Sequence, residues 1–291
     1  MWTKEIEREQ GQNDVEEVDD FITTTTQDLP ARLPVRLRDD QRNRLLTRML
    51  EEVLIPTVPE GKYPGLDIRS VTAISRLRHI IGSDFCDVFR LSGGSTAVIL
   101  GEIVGNSGIV PLQIPQIKFG VRALLVENPS ASRAVTALNR WMCGERASAR
   151  AIRAFARLAV VVFDHDSEWV DVSVAGAESP IVVTGFGSVE AIDIAGLPLG
   201  IDADYLYDSA TLRLGLGDTL VMTTNGVTNA RHNGTLLGVD GAKGLIQARA
   251  QIADMDYGIA RYVLEGATAY AGGELKDNAT VVSMQRLTMS C

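Results

Sequence analysis

The sequence predicts an α+β fold, in which antiparallel sheets are layered with helices outside them. Three observations carry this reading. Short runs that are apolar or alternate between apolar and polar recur along the chain as strands do. Turns such as Ser92-Gly-Gly-Ser95 and His165-Asp-Ser-Glu168 are short enough to join neighbouring strands as hairpins. Strands and helices come in blocks instead of strict alternation, which argues against a parallel sheet with crossover helices.

Residues 1–30 are polar and acidic, with no sustained apolar period, and read as a flexible acidic tail. Within 31–58, Leu45, Leu46, Met49, Leu50, Val53 and Leu54 recur at helical spacing between charged residues, and Pro56 stops the pattern. This amphipathic linker helix either packs its stripe on the domain or serves as a regulatory or homodimer helix through 39–54. The domain proper occupies 59–291. Its strand candidates are Leu66–Ile74, Asp87–Leu91, Thr96–Ile103, Arg157–Asp164, Trp169–Val174, Ile181–Thr184, Leu206–Leu214, Thr219–Thr223 and Thr280–Gln285. Helices are expected within Gln113–Val126, from a Ser130 cap to about Met142, from about Asp240 to Ile252 and from about Tyr257 to Tyr270.

The 291 residues, 45% hydrophobic and 22% charged, suffice for one large domain and an appendage. A formal net charge of −9 argues against nucleic acid and anionic membrane as partners, because both are bound through Lys and Arg. Cys86, Cys143 and Cys291 are too few and too irregular for a disulfide framework or a zinc site, which suggests a reducing, cytoplasmic setting. The N-terminal residues lack the apolar core of a signal peptide, and no apolar run has the length of a membrane-spanning helix.

Four segments set oxygen ligands at predicted strand ends or beside glycine: Gly82-Ser-Asp-Phe-Cys-Asp87, Gly101-Glu-Ile-Val-Gly-Asn-Ser-Gly108, Thr224-Asn-Gly-Val-Thr-Asn-Ala230 and Lys276-Asp-Asn-Ala-Thr280. Each alone is an ordinary turn. Together they make the carboxylate and carbonyl donor set that magnesium or manganese prefers.

In order and spacing these segments, with Gly196-Leu-Pro-Leu-Gly-Ile201 and Leu216-Gly-Asp-Thr-Leu220, resemble the SpoIIE/RsbU-type branch of the metal-dependent (PPM) serine/threonine protein phosphatases over about residues 60–288. The resemblance implies a four-layer αββα sandwich of two antiparallel sheets flanked by helices, with a two-metal site at one end. It implies a bacterial hydrolase acting in partner-switching signal transduction. Carried over by position, Glu102 bridges two Mn2+ or Mg2+ ions, the Ile103 carbonyl and Asp84 hold the second, and Asn225 and Asp277 hold the first. Asp84, Glu102 and Asp277 are thereby the implied catalytic carboxylates. A metal-activated water would attack phosphoserine or phosphothreonine. The implied substrate is a phosphorylated STAS-domain anti-sigma-factor antagonist.

Two positions depart from the pattern at its centre. Asn225 stands where the resemblance calls for aspartate, which removes a negative charge, and Glu102 stands where it calls for a shorter carboxylate, which moves the oxygens by roughly one carbon–carbon bond. Ser107 replaces a glycine, Ala177 a histidine, and Pro111 and Pro115 fall where a long helix is expected. Two readings follow: an active metal-dependent phosphatase with an atypical site, or a pseudophosphatase that binds a phosphoprotein or an anti-sigma partner. His79, His165 and His232 read as surface or loop residues, and Cys86 as a small buried filler.

Overall fold

The computed structural model describes residues 63–75, 83–105, 110–146, 155–164, 167–252 and 258–287. All of them lie in the unit Thr47–Cys291. The acidic tail, the linker helix, Ser107, His79 and His165 of the sequence reading lie outside the described residues.

Along the chain run β1 (Leu66–Ala73), β2 (Asp84–Arg90), β3 (Thr96–Val104), α1 (Val110–Glu127), α2 (Ala131–Arg146), β4 (Phe155–Phe163), β5 (Trp169–Ala175), β6 (Ile181–Val183), β7 (Val189–Ala191), β8 (Ala210–Arg213) and β9 (Thr219–Thr223). There follow α3 (Asn225–Thr228), β10 (Arg231–His232), β11 (Thr235–Leu236), α4 (Gly238–Ala250), α5 (Ile259–Tyr270) and β12 (Ala279–Arg286). One sheet has the order β2-β3-β4-β5-β8 and the other β1-β12-β9-β6-β7, and every pairing in both is antiparallel.

Strand period 2 sorts each central strand between two cores. In β3, Ala97 and Ile99 face the layer that α1 and α2 cover with Ile114, Ile117, Val121, Leu125, Val135 and Leu138. Val98 and Leu100 point the other way, into a core shared with Leu220, Met222, Val282 and Met284 of the second sheet. That sheet's outer face, with Val221 and Val281, is covered by Ile246 of α4 and Val263 and Leu264 of α5. The result is an αββα sandwich with three cores. Fully burying each such aliphatic side chain contributes about 1.5–3 kcal/mol.

Several elements differ from the sequence reading for identifiable reasons. β2 begins at Asp84, three residues earlier than expected, so the first aspartate of its motif sits on a strand. The predicted strand Leu206–Leu214 contracts to Ala210–Arg213, because Tyr207 is taken up elsewhere: its hydroxyl donates to the Leu197 carbonyl at 2.8 Å and its N–H to Thr136 Oγ1 at 3.2 Å. Pro115 lies inside α1 without ending it. The helix start is instead anchored by the buried stripe of Ile114, Ile117, Val121 and Leu125. Ser130 offers its carbonyl to the Ala134 N–H, but the side chain that satisfies the first N–H of α2 is Asp171 from β5, whose Oδ2 accepts from Ala131 at 2.9 Å. The β10–β11 hairpin was not anticipated. Its turn is Asn233-Gly234 with both residues at positive φ, 48° and 87°, which is the Asn-Gly signal of a two-residue hairpin. No helix among the described residues is long and apolar enough to cross a membrane.

Candidate active site at the polar end of the inter-sheet core

Five rows of the inter-sheet core end in polar residues at one edge. Asp84 continues the row of Cys86 and Val88, Glu102 that of Leu100 and Val98, and Arg157 that of Ala159 and Val161. From the facing sheet, Thr224 follows the row of Met222 and Leu220, and Thr280 precedes Val282 and Met284. Register does the assembling: Asp84 lies opposite Glu102 across β2 and β3, and Glu102 lies opposite Arg157 across β3 and β4. A line of three charges, two negative and one positive, therefore crosses neighbouring strands on a single face. Like charges placed directly opposite repel, so the Asp84–Glu102 pairing costs stability unless a cation offsets it.

Asp84 is held from the opposite sheet. Its Oδ2 accepts from Thr224 Oγ1 at 2.7 Å and from Thr280 Oγ1 at 2.9 Å. The Thr224 hydroxyl also accepts the Thr280 N–H at 2.8 Å, while the Thr224 N–H donates to the Thr280 carbonyl at 2.9 Å. Glu102 is ion-paired, Arg157 Nη1 donating to its Oε1 at 2.5 Å. Burial raises Asp84 to about 6, against the pull of its three hydroxyl neighbours Thr224, Thr280 and Ser83, and the charge of Asp277 adds to the rise. Burial also raises Glu102 to about 7, helped by the charges of Asp84 and Asp277 and opposed by Arg157. Asp277 thus acts electrostatically on both of the other carboxylates.

Directly after β9, where the sequence reads as a turn, Asn225 begins the single-turn helix α3. Its carbonyl accepts the Asn229 N–H at 2.7 Å. The next residue must be glycine for a packing reason: a Cβ on Gly226 would stand 1.9 Å from the Asn278 carbonyl oxygen. Asn278 itself is 4% exposed; its Oδ1 accepts the Ser75 N–H at 2.9 Å and its Nδ2 donates to Ser83 Oγ at 3.4 Å. The motif around Asp277 is in this way tied to the ends of β1 and β2.

Glu102, Arg157, Asn225, Thr224 and Glu178 line one cleft. Glu178 is oriented by Thr228 Oγ1, which donates to its Oε1 at 2.7 Å. Asp84 is adjacent to the cleft through its pairing with Glu102 and its bond to Thr224. Ile103 buries its side chain under the helices, and its N–H donates to the Ser83 carbonyl at 2.9 Å. Sequence reasoning missed Arg157 and Glu178. Arg157 had a signal, since the period of Ala159, Val161 and Phe163 places it on a buried face where an arginine needs a partner; Glu178, in a loop before β6, had none. Cys86 is buried, and burial pushes its thiol up to about 12, which suits a packing role.

By donor chemistry, three carboxylates, the Asn225 amide and backbone carbonyls suit a hard divalent ion. By geometry Glu102 gives one of its oxygens, Oε1, to Arg157. Among the described residues no group of three or more His, Cys, Asp or Glu side chains is disposed around one point to hold an ion.

The sequence model of the Stage II sporulation protein E (SpoIIE) family matches residues 92–287, more than half of the chain. The chain belongs to the SpoIIE family. The family is one of PP2C-type serine/threonine phosphatases, and the solved structures agree in fold with the SpoIIE domain described here. The RsbU and RsbW domains of Rv1364c from Mycobacterium tuberculosis superpose with a TM-score of 0.65 at 18% identity, covering 82% of this chain and 64% of that one. The PP2C phosphatase domain and regulatory fragment of SpoIIE from Bacillus subtilis give 0.60 at 15% identity, covering 76% and 64%. RsbX, solved in complex with magnesium, gives 0.56 at 13% identity, covering 78% and 98%. This SpoIIE-family chain thus spans 64% of the length of each of the first two. No curated protein sequence matches it significantly.

Proposed function

We propose that the chain is a metal-dependent serine/threonine phosphatase that removes phosphate from phosphoserine or phosphothreonine of a regulatory protein, of the STAS type that the sequence resemblance implies. The observation that carries the reading is the convergence of Asp84 and Glu102, under the charge of Asp277, at the polar end of the inter-sheet core. Such a cleft repels a phosphoryl dianion on its own. It becomes a phosphate site once a cation offsets the carboxylates.

Asp84, Glu102, the Ile103 carbonyl, Asn225 and Asp277 would hold Mn2+ or Mg2+, and RsbX, a structural neighbour, was solved with magnesium. When bound, the ion supplies a Lewis acid that activates water and offsets phosphoryl charge. The chain's own residues fix the frame for that chemistry. Thr224 and Thr280 hold the Asp84 carboxylate in one orientation, and the Gly226–Asn278 approach seats Asn225 at the cleft. A second reading, a pseudophosphatase that binds a phosphoprotein or an anti-sigma partner, is favoured by the neutral Asn225 and by the ion pair of Glu102 with Arg157.

Calorimetric titration of Mn2+ and Mg2+ into the full chain, with p-nitrophenyl phosphate hydrolysis followed in the same samples, tests the proposal. Binding with turnover that disappears in Asp277→Ala supports the phosphatase. Absence of binding and turnover at millimolar metal overturns it in favour of the binding module.

A further inference from the structure

Arg157 has no part in the donor set just described, yet its guanidinium touches the residue at the centre of that set. It stands opposite Glu102 in the β3–β4 register, donates to Glu102 Oε1 at 2.5 Å and lines the same cleft as Asn225. Glu102 is 8% exposed at its side chain and Arg157 34%, so the acid is fixed and buried while the base has a path to solvent. A guanidinium keeps its charge at every physiological pH, and here one of its nitrogens, Nη1, meets one carboxylate oxygen, Oε1. It is therefore a permanent cation tethered at the carboxylate that a divalent ion would need.

We propose that Arg157 is a built-in competitor for the divalent cation. It neutralises Glu102 when no ion is bound, and it sets how much free metal is required to load the site, since its charge repels an ion approaching Glu102 and an ion gains Oε1 only as the guanidinium leaves it. This rests on the reading of the cleft as a cation site. It makes Arg157 a determinant of metal affinity, not a catalytic residue.

The test is Mn2+ titration by calorimetry into the parent chain and into Arg157→Gln and Arg157→Ala, with the Mn2+-induced rise in melting temperature as a second readout. Arg157→Gln keeps most of the side chain's length and decides the matter if Arg157→Ala does not fold. The expected result is binding tighter by about tenfold or more in the variants, from removal of one unit charge at a partly buried site. Variant binding where the parent shows none supports the proposal equally. Equal or weaker binding in variants of a parent that does bind overturns the competitor role and leaves the cation site standing. No binding in any of the three chains overturns both.

Discussion

Thr224 Oγ1 donates to Asp84 Oδ2 at 2.7 Å, and because Asp84 belongs to β2 while Thr224 follows β9, this bond joins the two sheets at their polar edge. Thr280 on β12 makes the second such bond to the same oxygen, at 2.9 Å. Replacing either hydroxyl by a methyl leaves a buried carboxylate short of a donor, which costs about 1.5–3 kcal/mol. Thr224→Val should cost more than Thr280→Val, because Thr224 Oγ1 also accepts the Thr280 N–H at 2.8 Å. Urea denaturation at neutral pH measures both; losses within experimental error would show that the two hydroxyls do not support Asp84.

The raised carboxylates predict a pH dependence of stability in the absence of divalent ions. Asp84 is raised to about 6 and Glu102 to about 7, chiefly by burial. Both folded-state values lie above the unfolded ones, so the folded chain binds protons the more readily. The stability these groups contribute is fully present below the unfolded carboxylate range of about 4, and is lost as pH rises through about 6 and about 7. Melting temperature in EDTA, followed between about pH 5 and about pH 8, should fall more steeply for the parent than for Glu102→Gln, which cannot titrate. Identical slopes would contradict the assignment to Glu102.

The fold was legible because its strands carry their own periodicity. The apolar runs Ala97–Leu100 and Leu158–Phe163 mark strands buried on both faces, and the structure covers each on both sides. Chemistry at the site was only partly legible. The motifs mark which residues are special, but the partner of Glu102 depends on cross-strand register, and Arg157 lies 55 positions away in sequence. Likewise Ser130 stands immediately before α2, as expected, but the first N–H of the helix is accepted by Asp171 on β5, 40 positions beyond Ala131. Short elements such as β7 and β10 offer too few residues to show a period.

Gly226 tests whether the seat of Asn225 is rigid. An added Cβ would meet the Asn278 carbonyl oxygen at 1.9 Å, and backbone cannot swing aside as a side-chain end can. Gly226→Ala should therefore destabilise by about 3 kcal/mol or more, the upper part of the overpacking range. Thermal unfolding reads the loss directly. A change under about 1 kcal/mol would mean that α3 shifts freely against the Asn278 segment.

Asn225→Asp combined with Glu102→Asp asks whether the site has lost chemistry or only metal affinity. The first change returns a negative charge to the cleft that Asn225 lines, and the second shortens the side chain that now reaches Arg157. Both should favour a divalent ion, the added charge alone by about tenfold at a partly buried site. Calorimetry with Mn2+ and hydrolysis of p-nitrophenyl phosphate, measured together, separate the outcomes. Tighter binding with faster turnover than a parent that is already active makes the natural site an attenuated phosphatase. Turnover that arises only in the double variant makes the natural chain a binding module whose scaffold still supports the reaction. Tighter binding without turnover in either chain would place the defect beyond the cation ligands, in the residues that position the phosphoprotein.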